Sequence, residues 1–132
     1  MLKEKGKIRG RNMVINVLEW LEKSAEKYND KIAYSDEESS LTFLQVKSLA
    51  QSIGSALIER GADGNPIAVF SGRSVMTVAA FLGVVYSGCS YAPIDSKLPR
   101  ARIEKIMETL SPSIILTDGE NCDFVKELGF DD

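Results

Sequence analysis

The stretch Pro66-Ile67-Ala68-Val69-Phe70, followed by Ser71-Gly72-Arg73-Ser74, the run Val75 to Ser87 and then Gly88-Cys89-Ser90-Tyr91-Ala92-Pro93-Ile94-Asp95, decides the fold. Its first five residues are a short apolar run, the length of a strand buried on both faces. Ser74 is a helix-capping residue type, and the run Val75 to Ser87 after it can form a helix that Gly88 terminates before a second strand near Tyr91. Met76, Val78, Ala79, Ala80, Phe81, Leu82, Val84 and Val85 make that helix apolar nearly all the way round, so it must be covered on more than one side. Downstream, Pro99 suits the first turn of a further helix carrying Ile103, Ile106, Met107 and Leu110 inward, and Ile114-Ile115-Leu116 reads as the next strand. Strands separated by single helices pair in parallel through right-handed crossovers, so the chain is expected to be α/β, a doubly wound, mostly parallel sheet with flanking helices.

Upstream of this unit, Asn16 with Glu19 three residues later marks a helix start. Val17, Leu18, Leu21, Ala25 and Tyr28 then recur at helical spacing up to about Asn29. Ile32–Ser35 and Leu41–Phe43 flank the turn Asp36-Glu37-Glu38-Ser39-Ser40 and predict a short hairpin. A second helix is expected from about Thr42, with Val46, Leu49, Ala50, Ile53 and Leu57 on one face and Gly61 as its stop.

The 132 residues, 44% hydrophobic and 27% charged, fit one globular unit with a real core. A net charge of −3 argues against nucleic acid as the main partner. The charge is uneven: Lys3, Lys5, Lys7, Arg9 and Arg11 make residues 1–12 a basic arm, expected to be flexible and solvated, whereas six acids stand against Lys126 from Asp118 onward. Residues 13–132 then form the α/β portion. Neither a transmembrane stretch nor a signal-peptide pattern is present, which predicts a cytoplasmic protein with no membrane partner. Cys89 and Cys122 lack CxxC spacing and the chain has no histidine, so both read as reduced and structural, and mechanisms that need an imidazole are excluded.

Three places could carry chemistry. The strand-to-helix turn Ser71-Gly72-Arg73-Ser74 could seat an anion at a helix N-terminus, but it matches neither phosphate-loop pattern, and a capping role for Ser74 with Arg73 as a surface charge is the simpler reading. In the Gly88–Asp95 segment, Gly88 takes the positive φ that closes a helix, Pro93 marks where ladder pairing stops and Asp95 accepts N–H bonds from the turn after it. Asp95 has no paired carboxylate beside it, so the role is structural. Asp36-Glu37 after a strand suggests the acidic pair of a receiver domain, but it sits in a hairpin and no late strand presents a lysine. No residue is assigned as catalytic, cofactor-binding or metal-binding.

Gly88-x-x-Tyr91-x-Pro93-Ile94-Asp95-x-x-x-Pro99-x-x-Arg102-Ile103 resembles a core motif of the adenylate-forming (AMP-binding) enzymes. Leu41-Thr42-Phe43-Leu44-Gln45-Val46 is similar to the family's Leu-Thr-Tyr-x-Glu-Leu motif, departing at Phe43, Gln45 and Val46. Ala25–Ala33 resembles the family's helix-to-strand entry, while Ser87 and Ser96 replace a frequent alanine and a frequent proline. The form of the motif is similar to amino-acid adenylation domains and to D-alanine-carrier protein ligases. The resemblance implies the partial N-terminal subdomain of the ligase fold, with the phosphate loop and catalytic lysine in a remainder absent from this chain. It further implies an ATP-dependent ligase, with ATP and Mg as cofactors of the whole enzyme and none for this chain. That enzyme would activate a carboxylate, an amino acid, as acyl-adenylate for transfer to a phosphopantetheine thiol or carrier protein. Expected partners are the remainder of the ligase and, through exposed edges, a second copy as a homodimer. The alternative is a complete flavodoxin-like binding or scaffold domain without catalysis.

Overall fold

The computed structural model describes residues 16–130 together with the backbone of residues 7–8 and 11–12. Lys7–Ile8 (β1) pairs antiparallel with Arg11–Asn12 (β2), and the rest of the basic arm expected over residues 1–12 lies outside the described residues. Helix α1 (Val17–Lys27) starts where the sequence predicts, with the Asn16 side chain accepting from the Glu19 N–H at 3.1 Å. It buries Leu21 and Ala25, whereas Val17 and Tyr28, expected to face inward, are 48% and 44% exposed. Among the described residues α1 packs mainly against α2 and α3, on the side that holds Leu21 and Ala25.

The hairpin forms from β3 (Ile32–Ser35) and β4 (Ser40–Thr42), antiparallel. Its second strand ends one residue earlier than expected, because Thr42 becomes the N-cap of α2 (Phe43–Glu59). Thr42 Oγ1 accepts the Gln45 N–H and the Gln45 side chain accepts the Thr42 N–H. Gln45, the least conservative departure from the motif, therefore keeps the capping geometry with an amide oxygen.

β5 (Ile67–Phe70) is the central strand of a three-stranded parallel sheet in the order β6-β5-β7, with β6 at Tyr91–Pro93 and β7 at Ile115–Thr117. All four residues of β5 are buried, as a strand covered on both faces requires. Ala68 and Phe70 point to one face with Ile103 and Met107 of α4 (Arg100–Leu110) and Val125 of α5 (Cys122–Glu127). Ile67 and Val69 point to the other with Leu57 of α2 and Val84 of α3 (Val75–Tyr86). The step from β5 to β6 and the step from β6 back past β5 to β7 run in opposite directions. Crossovers of one hand must then place α3 and α4 on opposite faces, which is the doubly wound arrangement. A flavodoxin-like domain of five parallel strands is not what forms: the described residues give three, with α1 and the hairpin packed outside α2 and α3.

The apolar α3 is covered by α2 and α1 on one side and by β5 and β6 on the other. Its approach to α2 is close enough that a Cβ on Gly83 would lie 2.5 Å from Ile53 Cγ2, and one on Gly54 would lie 2.7 Å from Tyr86 Cβ. Gly88 ends α3 at φ 81°, as predicted. Pro99, expected within the first turn of α4, instead occupies its N-cap, with φ −53° and ψ 134°. A ring that fixes φ and removes the N–H is tolerated there too, because that position needs no intrahelical donor.

Candidate functional site

In an open doubly wound sheet the crevice outside the strand C-termini lies where neighbouring strands send their chains to opposite faces. Here that place is between β5 and β7, since β5 leads to α3 on one face and β7 leads to α5 on the other. A cleft of about 530 Å³ lies there, lined by Asp36, Glu37 and Glu38 from the hairpin turn, Gly72, Arg73 and Ser74 after β5, and Asp118 and Glu120 after β7.

Several of its donors are committed internally. Ser74 Oγ accepts the Thr77 N–H at 3.3 Å, and Thr77 Oγ1 donates to the Gly72 carbonyl at 2.6 Å. The Val75 N–H, at the start of α3, donates to Asp36 Oδ2 at 2.9 Å, while Asp36 Oδ1 accepts from the N–H groups of Glu38 and Ser39 at 2.9 and 2.8 Å. Gly72 N–H donates to Asp118 Oδ2 at 2.8 Å, and Asn121 closes the second turn on Asp118 Oδ1. The Val75 bond, followed by those from Glu38 and Ser39, holds the Asp36 carboxyl below its ordinary value of 3.8. At Asp118 partial burial pushes the other way, but the bonds from Gly72 and Asn121 outweigh it and the carboxyl is again lowered. One of the protein's own carboxylates, Asp36, thus takes an N–H at the N-terminus of α3, where a helix would receive a ligand anion, and a second, Asp118, holds the turn that leads into it.

The capping role of Ser74 is what the sequence predicts, and at the turn considered as an anion seat the Gly72 and Val75 N–H groups are held by Asp118 and Asp36. Arg73 is the single cation on a cleft lined by five carboxylates, a field that repels a polyphosphate. Asp36 and Asp118 are the residues that sequence reasoning misses. An acceptor-rich turn at Asp36 is legible, but its partner is 39 residues away. Asp95 is where the spacing puts it: its Oδ1 accepts the Lys97 N–H at 2.9 Å in the turn after β6, and it does not line the cleft. Tyr91 of the same motif stacks on Phe81 with ring centroids 4.4 Å apart, bracing β6 against α3. Cys89 is buried and Cys122 partly so, both as free thiols. Among the described residues no group of three or more histidine, cysteine or carboxylate side chains is placed to hold a metal ion.

The family model of the AMP-binding enzymes matches residues 21–129. The chain belongs to this family. Among curated AMP-binding relatives, tyrocidine synthase 1 of Brevibacillus parabrevis is 31% identical over 110 residues, which are 83% of this chain and 10% of that protein. The D-alanine–D-alanyl carrier protein ligase of Lacticaseibacillus rhamnosus is 30% identical over 104 residues, 78% of this chain and 21% of that one. A solved nonribosomal peptide synthetase, FmoA3 with bound alpha-methyl-L-serine-AMP, superposes with a TM-score of 0.77 at 28% identity over 83% of this chain and 12% of its own. The chain spans about a fifth or less of the length of these relatives. No described helix is long and apolar enough to cross a membrane.

Proposed function

We propose that this chain supplies the N-terminal α/β portion of an ATP-dependent ligase that activates an amino acid as its acyl-adenylate and passes it to a phosphopantetheine thiol on a carrier protein. In that reaction a carboxylate oxygen attacks the α-phosphorus of ATP, the bond to the bridging oxygen breaks, and pyrophosphate leaves. The observation that carries the reading is the family match over residues 21–129, with the Tyr91–Asp95 motif on β6 and its turn. The carrier acceptor is supported by the name of the carrier protein ligase, and the amino-acid substrate by the aminoacyl-AMP bound to FmoA3.

This chain's contribution is a scaffold. Stabilising the charge that develops on a transferring phosphoryl group takes cations and donors aimed at it. Here the Val75 and Gly72 N–H groups at the switch-point cleft are bound to Asp36 and Asp118, and Arg73 faces an excess of carboxylates. ATP and magnesium are accordingly assigned to the whole enzyme and to groups beyond these residues. The test is to read the gene in frame past Asp132 and assay its whole product for ATP–pyrophosphate exchange against a panel of amino acids. Exchange dependent on one or a few amino acids is the expected result. A whole product that exchanges with none, and forms no acyl-adenylate by mass spectrometry, overturns the reading.

A further inference from the structure

The chain holds two Asp–Gly dipeptides, Asp63–Gly64 and Asp118–Gly119, and no Asn–Gly. Such pairs are chemically labile. With no Cβ on the glycine to shield it, the backbone nitrogen that follows the aspartate can reach the side-chain carboxyl carbon and close a five-membered ring. Closure also requires the aspartate's backbone to leave its folded dihedrals, so whether a given pair reacts depends on what holds it in place. The fold treats the two pairs differently.

Asp63 and Gly64 lie in the connection from α2, which ends at Glu59, to β5, which starts at Ile67. Asp63, Gly64 and Asn65 are all exposed. Backbone bonds tie Ala62 to Leu57 on one side and Ile67 to Ser90 on the other, and among the described residues none holds positions 63–65 between them. The Asp63 carboxylate is engaged by its neighbour but one: Oδ1 accepts the Asn65 N–H at 3.2 Å and Oδ2 accepts the Asn65 side-chain amide at 3.0 Å. That turn folds the carboxyl back along the very peptide whose nitrogen would attack it. Gly64 stands at φ 90° with nothing within 4 Å of the place a Cβ would take, which leaves the loop room to move.

Asp118 is held from two directions. Its N–H donates to the Phe70 carbonyl at 3.2 Å, carrying the β5–β7 ladder one residue further. Its Oδ2 accepts the Gly72 N–H at 2.8 Å, and its Oδ1 accepts the N–H and the side-chain amide of Asn121 at 3.0 and 2.6 Å. Backbone and carboxyl are thus fixed together, and both must let go before the carboxyl carbon can meet the Gly119 nitrogen.

We infer that Asp63–Gly64 is a site of spontaneous aspartyl isomerisation in the folded protein, and that the fold protects Asp118–Gly119. The step balances without a co-reactant. The Gly64 nitrogen bonds to the Asp63 side-chain carbon, the carbon–hydroxyl bond of the neutral carboxyl breaks, and the hydroxyl leaves with the amide proton as water. Water then opens the succinimide. Attack at the side-chain carbonyl returns aspartate, whereas attack at the backbone carbonyl leaves Gly64 joined through the side-chain carbon, as isoaspartate. The product carries one extra main-chain carbon just ahead of a strand whose four residues are buried. It also presents a free carboxylate on the α-carbon, the group that an isoaspartyl methyltransferase esterifies.

The experiment ages the 132-residue chain for weeks at mildly acidic pH, well below its unfolding midpoint, beside a second sample kept in denaturant. Peptides are then scored for isoaspartate by electron-transfer fragmentation and by methyl transfer from S-adenosylmethionine with an isoaspartyl methyltransferase. In the folded chain isoaspartate should accumulate at position 63 about tenfold or more faster than at position 118, because Asp118 reacts only in locally opened molecules. In denaturant the two positions should react at comparable rates. Asp63→Glu, at an exposed position, should abolish the product there, since its ring would need a sixth atom. Equal rates at the two positions in the folded chain, or no isoaspartate at position 63, overturns the proposal. So does a difference between the positions that persists in denaturant, for the protection would then not come from the fold.

Discussion

Replacing Gly83 by alanine tests the α2–α3 packing most sharply, because two effects of known sign oppose each other there. In an open helix the change would stabilise by about 0.5–1 kcal/mol through lost chain entropy. In this structure the added methyl would stand 2.5 Å from Ile53 Cγ2, 2.6 Å from Ile53 Cβ and 3.1 Å from the Ala50 carbonyl oxygen. Carbon atoms pack best at about 3.5–4.0 Å, so the deficit is roughly 1 Å. Ile53 cannot yield it by a rotamer change: the encroached Cβ is fixed to the α2 backbone, and a β-branched side chain in a helix has one strongly preferred χ1. Relief must come from moving α2 off α3, which loosens the neighbouring Gly54–Tyr86 approach and the helix layer over Ile67 and Val69. Overpacking of this kind costs about 1–3 kcal/mol and occasionally more. Set against the helix gain, the net is a destabilisation of about 1–2 kcal/mol, or a thermal midpoint lowered by about 3–8 °C for a chain of this size. Gly119→Ala, where nothing lies within 4 Å of the added carbon, serves as the control and should be near neutral. Thermal unfolding followed by circular dichroism decides it, and a Gly83→Ala midpoint at or above the parent's would refute the close crossing.

The 132-residue chain by itself should give no ATP–pyrophosphate exchange above a blank with any amino acid, since the carboxylate-lined cleft between β5 and β7 opposes a triphosphate; measurable exchange would disprove this. Gly88→Val should destabilise by about 1–3 kcal/mol through left-handed strain alone, because φ is 81° and nothing lies within 4 Å of an added Cβ; an unchanged unfolding midpoint would count against the turn. Asp36 is lowered from 3.8 by the bonds it accepts, so its contribution is present above that value and is lost as pH falls through the lower, folded one. Asp36→Asn should therefore be less stable than the parent at neutral pH, with the two melting curves converging on acidification below about pH 4; a gap that is constant with pH would show that the carboxylate charge does not matter.

The elements of this fold were legible wherever the deciding interaction is local. Asn16, Thr42 and Ser74 cap helices three residues away, Gly61 and Gly88 take the positive φ that stops them, and the unbroken apolar run of β5 announces a strand covered twice. What the sequence left unread depends on residues far apart in the chain. The exposure of Val17 and Tyr28 depends on which side of α1 meets α2 and α3, which no periodicity records. Gly54 and Gly83 look like two helix-weakening residues until the helices cross at them. At the cleft, Ser74 as a cap was readable, yet Asp36 and Asp118 were not, because each is defined by an N–H some forty residues distant in sequence.

The position of β5 at the centre of the sheet sets a hazard during synthesis. Its four buried residues leave the ribosome before either neighbouring strand exists, and although β6 follows soon, the partner on the other edge, starting at Ile115, is made about 50 residues later, which at roughly 5–20 residues per second is an interval of about 2–10 s. Through that interval one side of Ile67–Phe70 offers unpaired backbone groups on a wholly apolar strand, the form most prone to pairing with the wrong chain. The nascent chain therefore depends on α2 and α3, both complete by Tyr86, to shelter one face of that strand until β7 arrives.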